Sequence, residues 1–117
     1  MDVVILDELK SRRSAIAELL EKNRYRVAQC ATSNEFMNTV GSMIPGHFLV
    51  DVESWQRGRS IYAYFQIGKK IERVPVLFYN APANFTAVNE RGRHEKDYVL
   101  PKPSEPDAIV DALANSL

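Results

Sequence analysis

The sequence predicts an open, doubly wound α/β sheet, in which parallel strands alternate with helices that cover both faces. Three observations lead to this fold class. Five short apolar runs are separated by segments with helical periodicity, each run is apolar on both faces, and a length of 117 residues suits one compact domain. Together they favour a parallel sheet of five strands around a single core.

The first half of the chain predicts three strands with two helices between them. The strands are expected at short apolar stretches, namely residues 3–6, 25–31 and 48–52. The helices are expected over residues 11–23 and 32–40, where apolar residues recur at helical spacing. Thr32 and Glu35 form a capping box at the start of the second helix, and Gly41 with the Pro45–Gly46 pair ends it.

The second half continues the alternation with two strands and three helices. The strands are expected over residues 74–79 and 98–100. The helices are expected over residues 60–71, over the polar segment 83–95, and from residue 104 onward. Ser104 is the expected cap of the last helix, with Pro106 and Asp107 in its first turn.

Composition and charge exclude several classes of protein. Fifteen basic and fifteen acidic residues cancel, so no net charge points to nucleic acid or to anionic lipid. No apolar run approaches the roughly 20 residues of a membrane span, and the amino terminus lacks the basic start of a signal peptide. Cys30 is the one cysteine, which rules out an internal disulfide. We therefore expect a cytoplasmic protein with no membrane segment and no direct contact with nucleic acid.

Polar and charged side chains stand where the predicted strands end. Five residues occupy these positions: Asp7 and Glu8 after the first strand, Asp51 at the third, Asn80 after the fourth and Lys102 beyond the fifth. Ligands of doubly wound sheets bind beyond the carboxyl ends of the strands. We therefore expect three carboxylates and one ammonium group to share one shallow crevice.

This combination of groups is typical of phosphoryl chemistry. Three neighbouring carboxylates repel one another unless a cation lies among them, and oxygen ligands with room for water suit Mg²⁺. A carboxylate beside a metal ion and the ammonium of Lys102 can attack phosphorus and form an acyl phosphate. Asp51 is the candidate nucleophile, because it ends a central strand. Any one of these acids taken alone is better explained as a helix cap or a loop residue.

Five segments of the chain carry a family pattern: VVILDE, RYRVAQCATSNEF, FLVDVES, VPVLFYNA and DYVLPKP. In this order and spacing they resemble the receiver domains of bacterial two-component response regulators. The resemblance implies a flavodoxin-like (CheY-like) fold with strand order 2-1-3-4-5 and helices on both faces. It also implies that residues 1–117 form a single receiver domain, which we expect to be the amino-terminal part of a longer regulator.

The resemblance assigns a role to each residue at the strand ends. Asp51 would accept a phosphoryl group from a histidine kinase or a phosphotransfer protein. Lys102 would contact that phosphoryl group, and its bond to Pro103 is expected to be cis. The ligands of Mg²⁺ would be Asp7, Glu8, Asp51 and the main-chain carbonyl of Glu53.

The sequence also departs from the family pattern. Asn80 stands where the family usually has Thr or Ser, although its amide can still donate a hydrogen bond. Val99 occupies the place of the family's aromatic switch, and Tyr98 lies one residue early. Ser54 begins a loop that differs from the usual Met-Pro pair after the phosphorylated aspartate. These departures describe an atypical receiver.

Two functions remain open from the sequence. The first is a signal receiver of a two-component phosphorelay that is phosphorylated on Asp51 with the help of Mg²⁺. Phosphorylation would change the interaction surface of the receiver. Its only catalytic activities would be its own phosphoryl transfer and autodephosphorylation. The alternative is a phosphorylation-independent pseudo-receiver that serves as a docking or dimerisation module. The expected partners include a carboxyl-terminal effector domain and a second copy of the chain. A flavin site is rejected because two acids follow the first strand, and a dinucleotide site because no G-x-G-x-x-G occurs.

Overall fold

The computed structural model of the chain describes residues 2–42, 45–57, 74–83 and 98–116. Its strands are β1 (Asp2–Leu6), β2 (Arg26–Cys30), β3 (His47–Asp51), β4 (Val76–Ala81) and β5 (Tyr98–Pro101). Its helices are α1 (Lys10–Lys22), α2 (Ser33–Ser42), α3 (Val52–Arg57) and α4 (Pro106–Ser116). The helices expected over residues 60–71 and 83–95 lie outside the described residues. None of the described helices is long and apolar enough to cross a membrane.

The strands form one parallel sheet in the order β2-β1-β3-β4-β5, which confirms the predicted fold class and strand order. Leu6, the last residue of β1, pairs with Cys30 on one side and with Val50 on the other. In β3, Asp51 pairs with Tyr79 of β4. Because the strands are parallel and in this register, the residues that follow β1 and end β3 lie at the same edge of the sheet.

Both faces of the central strands are buried, as a parallel sheet requires. On one face, Val4 and Leu6 pack with Phe36 of α2, whose ring lies 5.2 Å from that of Phe48. On the other face, the strands pack against apolar residues of α1 and α4: Ile16, Ala17, Leu20, Ile109, Val110 and Leu113. The alternating side chains of each strand therefore divide the core into two layers.

The start of α2 confirms the predicted cap. The hydroxyl oxygen of Thr32 accepts a hydrogen bond from the main-chain N–H of Glu35 at 3.2 Å. The Glu35 carboxylate reaches back to accept from the N–H of Ala31 at 3.5 Å. These bonds satisfy main-chain donors that a helix start otherwise leaves without partners.

Helix α3 was not expected from the sequence. The third strand was predicted to run through Val52, whereas it ends at Asp51 and the helix begins at the next residue. The physical reason is that the Asp51 carboxylate accepts a hydrogen bond from the N–H of Ser54 at 3.1 Å, as an N-cap residue does. Asp51 thus ends one element and caps the next.

The fourth strand lies two residues later than predicted, because of a β-bulge. Phe78 pairs with Val99 and Ala81 pairs with Pro101, so two residues of β4 stand opposite one residue of β5. Asn80 lies within this bulge with a φ of 59°, a left-handed conformation that asparagine tolerates better than most residues. The bulge lets the pairing continue to Ala81.

Candidate functional site

Two carboxylates lie side by side at the carboxyl edge of the sheet. Asp7 directly follows β1, and Asp51 ends β3. Both residues have an exposed fraction of 0 %. Two charges that are buried side by side are costly unless other groups form hydrogen bonds or ion pairs with them. The neighbouring side chains supply these interactions.

Each oxygen of the Asp7 carboxylate accepts two hydrogen bonds. Oδ1 accepts from the N–H of Leu9 and from Nη2 of Arg12, both at 2.9 Å. Oδ2 accepts from Nε of Arg12 at 2.6 Å and from the hydroxyl of Tyr79 at 2.7 Å. Arg12, on the first turn of α1, therefore holds Asp7 in the two-point fork that guanidinium groups form with carboxylates.

The Asp51 carboxylate is divided between a serine and the same arginine. Oδ2 accepts from both the N–H and the hydroxyl of Ser54, at 3.1 and 2.8 Å. Oδ1 lies 3.1 Å from Nη2 of Arg12, which makes an ion pair but no hydrogen bond. The Ser54 hydroxyl oxygen also accepts from the N–H of Glu8 at 3.0 Å, which ties the residues after β1 to those after β3.

Burial sets the electrostatics of this pocket. Burial raises the pKa of Asp51, and the Asp7 charge adds to that rise, while the Ser54 hydrogen bond and the Arg12 charge oppose it. The hydrogen bond to Asp7 raises the pKa of Arg12 above its ordinary value despite partial burial. Burial and the nearby Asp7 carboxylate raise the pKa of Tyr79 well above its usual range. At neutral pH, Arg12 is therefore a cation and Tyr79 a neutral donor.

The other residues expected at a metal site are placed differently. Glu8 and Glu53 are exposed, with Glu53 in the first turn of α3. In the part of the chain that the structure describes, no group of three or more His, Cys, Asp or Glu side chains is placed to hold a metal ion. The side chains of Asp7, Glu8 and Asp51 therefore do not fit a metal ion in this arrangement, and their role as Mg²⁺ ligands stays a prediction.

The residues expected to contact a phosphoryl group lie at β4 and β5. Lys102 is exposed and, among the described residues, forms no ion pair with a carboxylate. Its bond to Pro103 is cis, which confirms the expectation. The N–H of Asn80 donates to the hydroxyl oxygen of Ser104 at 2.8 Å, and that hydroxyl donates to the carbonyl of Pro101 at 2.9 Å. Ser104 therefore joins the two strand ends, in place of the predicted cap on the last helix.

Three residues of the pocket were missed by sequence reasoning. Arg12 comes about one helical turn after Asp7 and Glu8, a spacing that allows an ion pair between a residue before the helix and one in its first turn. Tyr79 ends an apolar run, and a buried tyrosine hydroxyl usually needs a partner. Ser54 comes three residues after Asp51, the spacing of an N-cap with its helix. Each signal was present in the sequence but had several equally good explanations.

No protein-family description and no curated protein sequence matches the chain. Solved structures do match it, over nearly its whole length. The chemotaxis response regulator CheY4 of Vibrio cholerae has a TM-score of 0.78 at 16% identity, covering 99% of this chain and 98% of that one.

Two further solved structures of response regulators also match the chain. A response regulator from Burkholderia pseudomallei, with a phosphorylated aspartic acid, a calcium ion and citrate, has a TM-score of 0.73 at 21% identity, covering 98% of this chain and 68% of that one. A receiver-modulated diguanylate cyclase from Pelobacter carbinolicus has a TM-score of 0.72 at 16% identity, covering 98% and 90%. With its five parallel strands in the order 2-1-3-4-5, the chain has the CheY-like fold of response-regulator receiver domains.

Proposed function

We propose that the chain is a receiver-fold signalling module that acts by docking to partner proteins, without phosphorylation of Asp51. The observation that carries the proposal is the condition of the Asp51 carboxylate, which is fully buried and held by Ser54 and Arg12. A carboxylate nucleophile must bring one oxygen to within roughly 3–3.5 Å of the atom it attacks. In this arrangement Ser54 occupies Oδ2 of Asp51, and Arg12 stands in front of Oδ1.

Each oxygen is closed by a different neighbour. Oδ2 accepts two hydrogen bonds from Ser54, one of which caps α3. Oδ1 faces the guanidinium of Arg12 at 3.1 Å. Phosphorylation would thus require the loss of the cap of α3 or the departure of Arg12, which also holds Asp7. The geometry supports a structural role for Asp51.

The positions of Lys102 and Asn80, which would contact a phosphoryl group, also support a docking function without phosphorylation. Lys102 follows β5 and makes no ion pair with Asp51, which ends β3, and β4 lies between these two strands. The backbone at Asn80 is fixed in the bulge by Ser104. Nothing in the described part of the chain links these residues to Asp51.

The partners follow from the fold. One solved structure of this fold is described as a receiver-modulated diguanylate cyclase, from Pelobacter carbinolicus. By analogy with that protein, the partner of this chain is an effector domain or a second copy of the chain. In this function the chain acts in the cytoplasm and is not an enzyme.

The test is phosphorylation by acetyl phosphate with Mg²⁺, followed by measurement of the intact mass. We expect no gain of a phosphate mass under conditions that label an ordinary receiver domain treated in parallel. We also expect Mg²⁺ with beryllofluoride, a mimic of the acyl phosphate, to leave the elution volume in gel filtration unchanged. A phosphate mass that appears in the wild type and disappears in Asp51→Asn would overturn the proposal.

A second candidate function is that of a phosphoacceptor, and one specific observation favours it. Asp51 ends the central strand beside Asp7, and a solved structure of the same fold carries a phosphorylated aspartic acid with a calcium ion. In this function Asp51 would accept the phosphoryl group, with Lys102 and Asn80 contacting it. It would require Ser54 or Arg12 to release an oxygen of Asp51, and the same mass measurement decides between the two functions.

A further inference from the structure

The cation of the acidic pocket belongs to the chain itself. Arg12 reaches from the first turn of α1 across the ends of β1 and β3. Its Nε and Nη2 bind the two oxygens of Asp7 at 2.6 and 2.9 Å, and Nη2 also lies 3.1 Å from Asp51. One guanidinium therefore bridges both buried carboxylates.

The hydrogen bonds of Asp7 leave no direction open to another cation. A carboxylate offers about four lone-pair sites, and those of Asp7 are used by Leu9, Tyr79 and twice by Arg12. On Asp51, Ser54 occupies Oδ2. A single oxygen, Oδ1 of Asp51, remains, and Arg12 faces it.

Mg²⁺ has requirements that this arrangement does not meet. It needs oxygen ligands at about 2.1 Å in octahedral geometry, with several positions kept by water. A metal ion placed between Asp7 and Asp51 would stand where the guanidinium lies, and the two cations would repel each other. The side chain of Arg12 is only 20% exposed, so it is packed into the pocket and does not merely lie over its mouth.

Tyr79 helps to hold the guanidinium in this place through one packing contact with Arg12 and one hydrogen bond to Asp7. The central carbon of the guanidinium lies 5.8 Å from the centre of the Tyr79 ring, a favourable distance for a cation over an aromatic face. The hydroxyl of the same ring donates to Asp7 Oδ2 at 2.7 Å. Tyr79 therefore binds both members of the Arg12–Asp7 pair.

We propose that Arg12 is a built-in cation that takes the place of a divalent metal ion and keeps Mg²⁺ out of the Asp7–Asp51 pocket. The inference deepens the proposed function and rests on it, because a pocket that already holds its own cation does not depend on a metal ion and presents none to a phosphoryl donor. Removal of the guanidinium should convert the pocket into a divalent-cation site.

The test measures binding of Mn²⁺, a ligand-for-ligand substitute for Mg²⁺ at oxygen sites. Bound Mn²⁺ loses the sharp electron paramagnetic resonance signal of the free ion, and Mg²⁺ is added as a competitor. We expect wild-type protein to leave the signal unchanged at millimolar Mn²⁺. Arg12→Met, which keeps an unbranched side chain without the charge, should lower the Kd for Mn²⁺ by about tenfold or more.

Two further variants serve as matched controls. Arg13→Met removes the adjacent arginine, whose Nη1 donates to the main-chain carbonyl of Asp7 at 2.9 Å and does not touch the carboxylate. This variant should behave as the wild type does. Adding Asp51→Asn to Arg12→Met should abolish the gained binding, because it removes one of the two carboxylates.

Several outcomes would overturn the proposal. Wild-type protein that binds Mn²⁺ as tightly as Arg12→Met does would overturn it, and so would an Arg12→Met variant that is folded by circular dichroism yet gains no binding. If Arg12→Met does not fold, the wild-type titration decides alone: binding that Mg²⁺ displaces refutes the inference, and absence of binding supports it.

The inference and the proposed function fail in different ways. Wild-type protein that is labelled on Asp51 by acetyl phosphate in the presence of a chelator would overturn the proposed function and leave Arg12 as the working cation. Wild-type protein that binds Mn²⁺ but is never labelled would overturn the role of Arg12 and leave the proposed function standing.

Discussion

The two halves of the carboxyl edge of the sheet are built from different interactions. At β1 and β3, side chains close the edge, because Asp7 and Asp51 are buried and share Arg12. At β4 and β5, neutral hydrogen bonds close it: the N–H of Lys102 donates to the carbonyl of Ala81 at 2.9 Å, and the Ser104 hydroxyl links Asn80 to Pro101. The ammonium of Lys102 remains in water.

The difference shows where the cost of burying charge is met. A buried carboxylate is stable only with a partner, so the half that holds two of them also holds a partly buried cation. An exposed lysine is solvated and needs no partner. The counter-charge of Asp51 therefore comes from Arg12 on a helix at one face of the sheet and not from Lys102 at the end of β5.

The largest expected effect comes from removing the shared cation. Arg12→Met leaves two buried carboxylates without a counter-charge and should lower the free energy of unfolding by about 3 kcal/mol. Urea denaturation followed by circular dichroism measures this change. Arg13→Met, the adjacent control, should cost about 1 kcal/mol, as for a partly exposed hydrogen bond. Equal losses in the two variants would mean that the bridge contributes little to stability.

A smaller effect is expected from two tyrosines, of which Tyr79 lies at the carboxyl edge beside Asp51 and Tyr98 begins β5. Tyr79→Phe removes the buried hydroxyl that donates to Asp7 and should lower the free energy of unfolding by about 1.5 kcal/mol. Tyr98→Phe is the matched control, because Tyr98 is 47% exposed and its change should stay within about 0.5 kcal/mol. Thermal denaturation of both variants measures the two losses of stability. A larger loss in Tyr98→Phe than in Tyr79→Phe would contradict the prediction.

The Ser104 hydrogen bonds between β4 and β5 should contribute less to the free energy of unfolding than the Arg12 bridge between Asp7 and Asp51. Ser104→Ala removes a hydroxyl that links Asn80 to Pro101, and should cost about 1 kcal/mol. Hydrogen exchange should show a faster Asn80 amide, whereas the Asp7 amide, which donates to Cys30 in the other half, should be unchanged. Faster exchange at both amides would show that the two halves are coupled.

The smallest effect is expected at the lysine that the sequence placed in the site. Lys102→Met removes an exposed ammonium with no ion pair among the described residues, so the free energy of unfolding should change by about 0.5 kcal/mol or less. The same urea measurement used for Arg12→Met checks it. A loss close to that of Arg12→Met would indicate that Lys102 shares the counter-charge of Asp51 in solution.

The secondary structure was predictable wherever local pattern decides it. The strands of the central sheet are short apolar runs buried on both faces, and the Thr32 cap is a local hydrogen bond to Glu35. The end of β4 was not predictable, because the bulge at Asn80 depends on pairing with a strand that lies some twenty residues away in the chain. Helix α3 was missed because an acid that ends a strand and an acid that caps a helix look alike in sequence, and Asp51 is both.

The sequence alone determined the parallel sheet and the gathering of Asp7 and Asp51 at one edge, because these follow from apolar periodicity and from the direction of the strands. The strand order was implied by the resemblance to receiver domains, and the sheet has that order. Only the tertiary structure decided which cation stands between the two carboxylates. The energy of an ion pair depends on distance and burial, and those are set by how α1 packs against the sheet, a property that no spacing in the chain reports. That packing places Arg12 in the pocket and leaves Lys102 in water.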